Sequence, residues 1–350
     1  MDPMEPIFED LLVEQAARHF ERVPGFEGIA IDRIDYSENY NYERDDGISF
    51  VPMIKPDNTS HNVSDLGEWV WGPARSLRTS YRHTTERLHH LLHTSAQANA
   101  THKRAMFQNF GQLARLELNR HIDGTFSELA NLNANAWIGL RAPTILWTYS
   151  LDSNATALDE YFQQHLLMDA YPMAPMHKND HSIAPANDTG CTCPATPVIE
   201  ALYRDYGRLF DAMHGARWLL TAQPASVDLG FVNIFTKGHA KGTAMGAAFG
   251  AALPELVVPI MLALSASNAQ GGSQPPSNIS TLTLNLEPAA EALGWPQVVA
   301  ITAAALYPGM AGERELGSAA SVGKGLWRLA VPLERGCALV RVTLKANTLS

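Results

Sequence analysis

The feature that most constrains this chain is a change of rhythm near His214-Gly215. Before that point, amphipathic helical patterns alternate with short apolar runs. After it, apolar runs follow one another with only Gly, Pro, Asn and Ser between them. Alternation of helix and buried strand is the signature of a parallel α/β arrangement, whereas strands without intervening helices imply antiparallel sheets. The sequence therefore predicts an α/β chain of two domains. Residues 1–215 form the C-terminal part of a TIM-like (β/α) barrel, and residues 216–350 form an antiparallel β-sandwich.

The first unit sets the pattern. Residues 7–21 place Phe8, Leu11, Leu12, Ala16 and Phe20 near a 3.6-residue period, and Pro24-Gly25 stops the helix. Gly28-Ile29-Ala30-Ile31 then reads as a strand buried on both faces, ending in Asp32-Arg33-Ile34-Asp35-Tyr36. Residues 37–75 read as a polar insertion, 76–98 as a helix and 104–109 as a strand closing on Asn109. A helix follows over 113–121. Residues 122–128 form another strand end, 143–149 a further strand, and a helix over 158–168 precedes a strand segment over 170–176. A last helix spans 198–213. About five βα units result, fewer than the eight of a closed barrel, so the front of the barrel is expected to be missing. The sandwich strands are expected at 218–221, 231–235, 256–264, 281–286, 298–303, 326–333 and 338–344.

The composition narrows the function. Among 350 residues, 46% are hydrophobic, which fits a globular chain, and the formal net charge is −10. An acidic chain without a basic run interleaved with aromatics argues against nucleic acid and against docking on an anionic membrane. The apolar stretch over 244–266 is broken by Pro254, Glu255 and Pro259, so no membrane insertion is expected. Asn-X-Ser/Thr occurs at Asn58, Asn62, Asn99, Asn154, Asn187 and Asn278, pointing to a secreted glycoprotein. The first residues carry neither a basic nor an apolar signal segment. The expected location is extracellular with a truncated N-terminus, and a cytoplasmic location is the alternative. A disulfide from Cys191 or Cys193 to Cys337 is expected.

In parallel barrels, chemistry gathers at the C-terminal ends of the strands. The carboxylates expected there are Asp32, Asp35, Asp123 and Glu128, with Asp180 and His181 on a later loop. Cleaving a glycosidic bond takes two carboxylates in different protonation states. Asp32 and Asp35 are three residues apart, so a continuing strand would point them to opposite faces. Asp32 is the one expected to face the barrel mouth. Tyr36, Trp147 and Tyr149 are candidate surfaces for sugar rings, and Arg33, Asn109, Asp35, Asp180 and His181 are candidate hydrogen-bonding partners for hydroxyls. His89 and His93 stand at the i, i+4 spacing of zinc ligands on a helix. His90 replaces the Glu of the metalloprotease motif, so the pair reads as a solvated face and no metal or other cofactor is expected.

The segment 28–36, Tyr40-Asn41, Asp45-Asp46-Gly47 and the segment 123–128 together resemble retaining glycoside hydrolases of the α-galactosidase and α-glucosidase kind. The resemblance implies a nucleophilic Asp at the end of the fourth barrel strand, here Asp32. It also implies an acid/base carboxylate at the end of the sixth, here Glu128 with Asp123 in reserve, and a β-sandwich after the barrel. The implied partner is a carbohydrate substrate. The alternative is a non-catalytic carbohydrate-binding or structural remnant of a truncated glycosidase.

Overall fold

The computed structural model describes residues 2–23, 25–32, 39–54, 69–94, 104–109, 119–127, 143–146, 155–172, 196–237, 253–262 and 279–346. The fold is mixed α/β, with two compact units: Met1–Leu129 with Ala142–Thr144, and Ala130–Arg141 with Ile145–Ser350.

In the first unit, helix α1 (Pro6–Arg22) leads to strand β1 (Gly28–Ile31). The insertion is not featureless. It holds two antiparallel pairs: β2 (Tyr40–Asn41) with β5 (Arg75–Ser76), and β3 (Phe50–Ile54) with β4 (Trp69–Pro73). Helix α2 (Leu77–Thr94) follows, then β6 (Ala105–Asn109) and β7 (Gly124–Ser127). Strands β1, β6 and β7 pair in parallel, with Ile31 opposite Gln108 and Phe107 opposite Gly124. The next strand, β8 (Thr144–Leu146), begins beside β7, where Pro143 O accepts the Thr125 N–H at 2.9 Å. Among the described residues these strands do not close into a barrel, and most sheets are antiparallel. Among the described residues this part of the chain is a parallel ladder with α1 and α2 packed on one side.

That side is defined by packing. Ala16 and Phe20 of α1 and Leu88 and Leu92 of α2 form one core with Met106 and Ile122, and Ile29 and Ile31 join it. Ile29 and Ile31 on β1 and their partners Met106 and Gln108 on β6 therefore face the helices, while Ala30 and Phe107 face away. The helix pair is also pinned by a buried carboxylate. Glu9 accepts hydrogen bonds from Thr84 Oγ1 at 3.0 Å and Arg87 Nη1 at 2.6 Å, and lies 2.8 Å from His83 Nδ1. Burial pushes the Glu9 carboxyl up, but its bonds to Arg87, His83 and Thr84 outweigh that and hold it below the ordinary range.

In the second unit, α3 (Ala155–Leu167), β9 (Ala170–Pro172) and α4 (Thr196–Met213) precede eleven strands and one short helix. One antiparallel sheet includes β14 (Glu255–Met261), β16 (Val298–Leu306) and β20 (Cys337–Ala346); a second includes β15 (Ile279–Asn285) and β19 (Leu326–Pro332). Leu256, Val258, Val340 and Ala303 of the first sheet share one core with Leu282, Leu284, Trp327 and Leu329 of the second. Two sheets thus close on each other face to face, as the run of helix-free strands predicts.

The strand patterns record what covers each sheet. In β14 every residue from Leu256 to Met261 is buried, because α3 and α4 cover the sheet's other face through Phe162, Tyr206 and Phe210 against Val257 and Leu339. In β15 buried and less buried residues alternate, since only one of its faces has a partner. Helix α5 (Glu287–Leu293) was not expected from the sequence. It has a Pro in its first turn and ends on Gly294 at φ 65°, both ordinary boundary signals.

The β19–β20 hairpin turns on Arg335 and Gly336, whose φ values of 53° and 78° suit a tight two-residue turn. Arg335 forks between Asp159 and Asp205, and Tyr206 donates to Asp159 at 2.9 Å, so the turn is fastened to α3 and α4. Cys337 is a free, buried thiol whose pKa burial pushes up to about 12. This corrects the expected disulfide: the residue is a small core side chain of β20. Cys191, Cys193 and all six sequons lie outside the described residues. No helix among the described residues is long and apolar enough to cross a membrane.

Candidate functional site

Asp32 follows the last residue of β1 directly, at the C-terminal end of the parallel ladder. Ile29 and Ile31 pack towards the helices, so strand alternation sends Asp32 to the opposite face with Ala30. On the neighbouring strand, Asn109 ends β6 on that same face, with Phe107 two residues before it. The two side chains meet: Asn109 Nδ2 donates to Asp32 Oδ1 at 2.5 Å. Asp32 is exposed to solvent. A carboxylate oriented by a neighbouring amide and open to solvent can receive a substrate, and its acceptor oxygens can attack carbon or bond a hydroxyl.

Asp123 lies elsewhere. Strand β7 starts at Gly124, so Asp123 precedes the strand rather than ending it. It sits level with Met106: its N–H donates to Met106 O at 2.8 Å, and its Oδ2 accepts the Met106 N–H at 2.9 Å. Asp32 sits level with Asn109. The two aspartates are thus offset by three residues along the strands, about 10 Å, and by two strand spacings across them, about 9.6 Å. They also face opposite sides of the ladder. A catalytic carboxylate pair needs a separation of about 5–9.5 Å across one cleft. In the described ladder Asp123 and Asp32 stand on opposite faces and at different levels.

The cause of the misreading is local. Asp-Gly suggested a turn or strand end, but Gly124 is a glycine because of Phe107. A Cβ there would lie 2.3 Å from the Phe107 ring. The glycine marks a close approach inside the ladder, so the strand runs forward from it.

On the helix-covered side, Asp123 meets two histidines of α2. His93 Nε2 lies 3.0 Å from Asp123 Oδ2, His89 Nε2 lies 4.0 Å from Oδ1, and the two imidazole centroids are 4.1 Å apart. Burial lowers the His89 pKa, His93 adds to the effect and Asp123 opposes it. The solvated-face reading of these histidines does not hold, since both are partly buried against Asp123. The i, i+4 spacing was visible in the sequence. The carboxylate that completes the group was not, because it comes from a distant strand.

Asp46, from the Asp45-Asp46-Gly47 segment, is structural. It accepts the N–H groups of Ile48 at 3.0 Å, Ser49 at 2.7 Å and Ser76 at 2.9 Å, and so fastens a loop to the start of α2. On strands β3 and β4, Phe50 and Trp71 present stacked rings at 16° with centroids 6.3 Å apart, and they are 61% and 65% exposed. Of the other expected site residues, Arg33, Asp35, Tyr36, Glu128, Trp147, Tyr149, Asp180 and His181 lie outside the described residues.

No protein-family profile and no curated protein matches the chain. Solved structures that it partly resembles include glycoside hydrolases. One described simply as a glycoside hydrolase gives a TM-score of 0.34 at 10% identity, over 76% of this chain and 61% of its own. A Paenibacillus polymyxa xyloglucanase of glycoside hydrolase family 44, solved with xyloglucan, gives 0.29 at 11% identity, over 82% and 64%. A Clostridium acetobutylium endoglucanase of the same family gives 0.26 at 7%, over 76% and 61%. The chain spans less than two thirds of each of these proteins. Similarity at this level carries no argument for activity.

Proposed function

We propose that the protein is a glycosidase-like hydrolase acting on a glycan, with Asp32 as nucleophile and Glu128 as general acid/base. One observation supports this reading above the others. Asp32 and Asn109 meet at 2.5 Å at the C-terminal ends of adjacent parallel strands, on the face that no described helix covers. Strand ends on that side are where barrel-type enzymes place their chemistry. Gly124 is paired with Phe107 and so shares the face of Asn109 and Asp32. Glu128 lies one residue beyond the described end of β7, and its role as acid/base is carried by the sequence reading.

In this mechanism the Asp32 carboxylate attacks the anomeric carbon while the Glu128 carboxyl protonates the departing oxygen. Water then resolves the glycosyl ester, with Glu128 acting as base. Asn109 holds one Asp32 oxygen by its amide. Arg33, Asp35, Tyr36, Trp147, Tyr149, Asp180 and His181 remain the proposed sugar contacts, and the likeness to α-galactosidase-type barrels belongs to the same proposal.

A second reading, carbohydrate binding without turnover, is favoured by the exposed Phe50–Trp71 pair, since flat aromatic faces stack on sugar C–H surfaces. One experiment separates the two. Wild type, Asp32→Asn and Glu128→Gln are assayed on a panel of chromogenic glycosides, with sugar binding followed by calorimetry. Hydrolysis lost in both variants with binding retained supports the enzyme. Binding without hydrolysis in wild type supports the second reading. Undiminished hydrolysis by Asp32→Asn overturns the proposed mechanism.

A further inference from the structure

The group formed by His89, His93 and Asp123 plays no part in the proposed hydrolysis, since it lies on the other face and at the other end of the ladder from Asp32. Its ligand-type atoms all lie within 4.8 Å of one another. We propose that these three residues bind a divalent zinc-class ion that clips α2 to the start of β7.

The geometry suits that ion. The two histidines stand one helical turn apart on a single face of α2, the spacing at which two imidazoles converge on one metal. For bonds of about 2.0–2.1 Å in a tetrahedral site, ligand atoms stand about 3.3 Å apart. The observed separations of 3.0 Å from His93 Nε2 to Asp123 Oδ2 and 4.0 Å from His89 Nε2 to Asp123 Oδ1 bracket that value, so small side-chain rotations complete the site.

The donor set points the same way. Two imidazoles and one carboxylate suit zinc and its transition-series neighbours, whereas calcium and magnesium prefer all-oxygen sites. The carboxylate is already oriented, because the Met106 N–H donates to Asp123 Oδ2 at 2.9 Å, the kind of outer contact that fixes a metal ligand. Side-chain exposures of 34%, 23% and 31% for His89, His93 and Asp123 leave a fourth position open to water. The adjacent His90 is exposed and outside the group.

The site is a clip by position. It joins the C-terminal part of a helix to a strand about thirty residues on in the sequence. An ion that binds only the folded arrangement adds its binding free energy to stability.

The test uses the full chain stripped with EDTA and titrated with ZnCl2, read by calorimetry and by the melting temperature, with Co2+ as a spectroscopic probe. Wild type is expected to bind Zn2+, to melt several degrees higher with it, and to give the d–d absorption of tetrahedral Co2+. His89→Ala removes a ligand that makes no close contact with Asp123 in the ion-free geometry, so this variant should fold. It is expected to bind Zn2+ at least about 10-fold more weakly, while His90→Ala binds as wild type does. The proposal is overturned if wild type and His89→Ala bind Zn2+ alike, in stoichiometry and affinity, or if wild type gains no stability from it. These readouts do not involve hydrolysis, so their failure leaves the glycosidase reading untouched.

Discussion

The two faces of the short parallel ladder carry very different aspartates. Asp123 lies on the covered face, where α1 and α2 pack against Met106, and its Oδ2 is met by the Met106 N–H and by His93. Asp32 lies on the face that no described helix covers, exposed, with the Asn109 amide on one oxygen. The same side chain on one sheet becomes part of the structural framework or a candidate reagent according to one bit of information, its parity along the strand. Proximity in a strand-by-strand count is a poor guide to function. The face and the end of the strand decide which groups can meet a common ligand.

The largest expected effect breaks the comparison at Asp32. Asp32→Asn should lower hydrolysis by at least about 10²–10⁴-fold, the scale on which positioned acid and base groups act. Its melting temperature should stay within a degree or two of wild type, since the group is exposed. A large loss of stability would place Asp32 in the framework beside Asp123.

The covered face should answer in stability instead. Glu9 is 4% exposed and bonded by Thr84 and by the half-exposed Arg87 and His83, so Glu9→Gln should cost about 1–3 kcal/mol, as loss of hydrogen bonds to a charged group does. The pH dependence follows from the sign of its shift. Its folded pKa lies below the ordinary value of 4.5, so its contribution is present above that value and lost as the pH falls below it. Chemical denaturation between pH 7 and pH 3 should show wild type losing more stability than Glu9→Gln. Equal losses would remove Glu9 from the account.

Register is sharpened by Gly124→Ala, whose added methyl meets the Phe107 ring. The expected cost is about 1–3 kcal/mol of overpacking, recovered in part by the double variant with Phe107→Leu. No cost would mean that β7 pairs in a different register. The smallest effect is on sugar affinity. Trp71→Ala should weaken glycan binding by about 3–10-fold in titration calorimetry, the value of one aromatic face.

Much of the fold was legible in the sequence where one period ruled. Of the expected period Phe8, Leu11, Leu12, Ala16 and Phe20, Ala16 and Phe20 lie in the core of α1, whereas Leu11 is exposed and Val13 packs there instead. Glu255–Met261 reads as a buried run because helices and a second sheet cover both its faces. Ile279–Asn285 and Leu326–Pro332 were legible for a different reason, the alternation of buried and less buried residues along a strand covered on one face. Less legible were Ala225–Val227 and Ala320–Gly323, which are short and lack a run of large apolar residues. The β3–β4 pair hides inside a polar insertion, held by cross-strand pairing rather than by a core pattern. Of the candidate site, the Asp32 strand end could be read from the apolar run before it. The Asn109 contact and the Asp123–His93 contact could not, because each depends on a parallel register set by packing far from the residues themselves.

The central claim is that the face of the ladder opposite α1 and α2 performs the chemistry through Asp32. The direct measurement is covalent trapping with a panel of 2-deoxy-2-fluoro glycosyl fluorides, followed by mass mapping of the labelled peptide. The account predicts a single glycosyl adduct on Asp32, absent from Asp32→Asn. An active protein labelled on another carboxylate, or hydrolysing with Asp32 unlabelled, would contradict it.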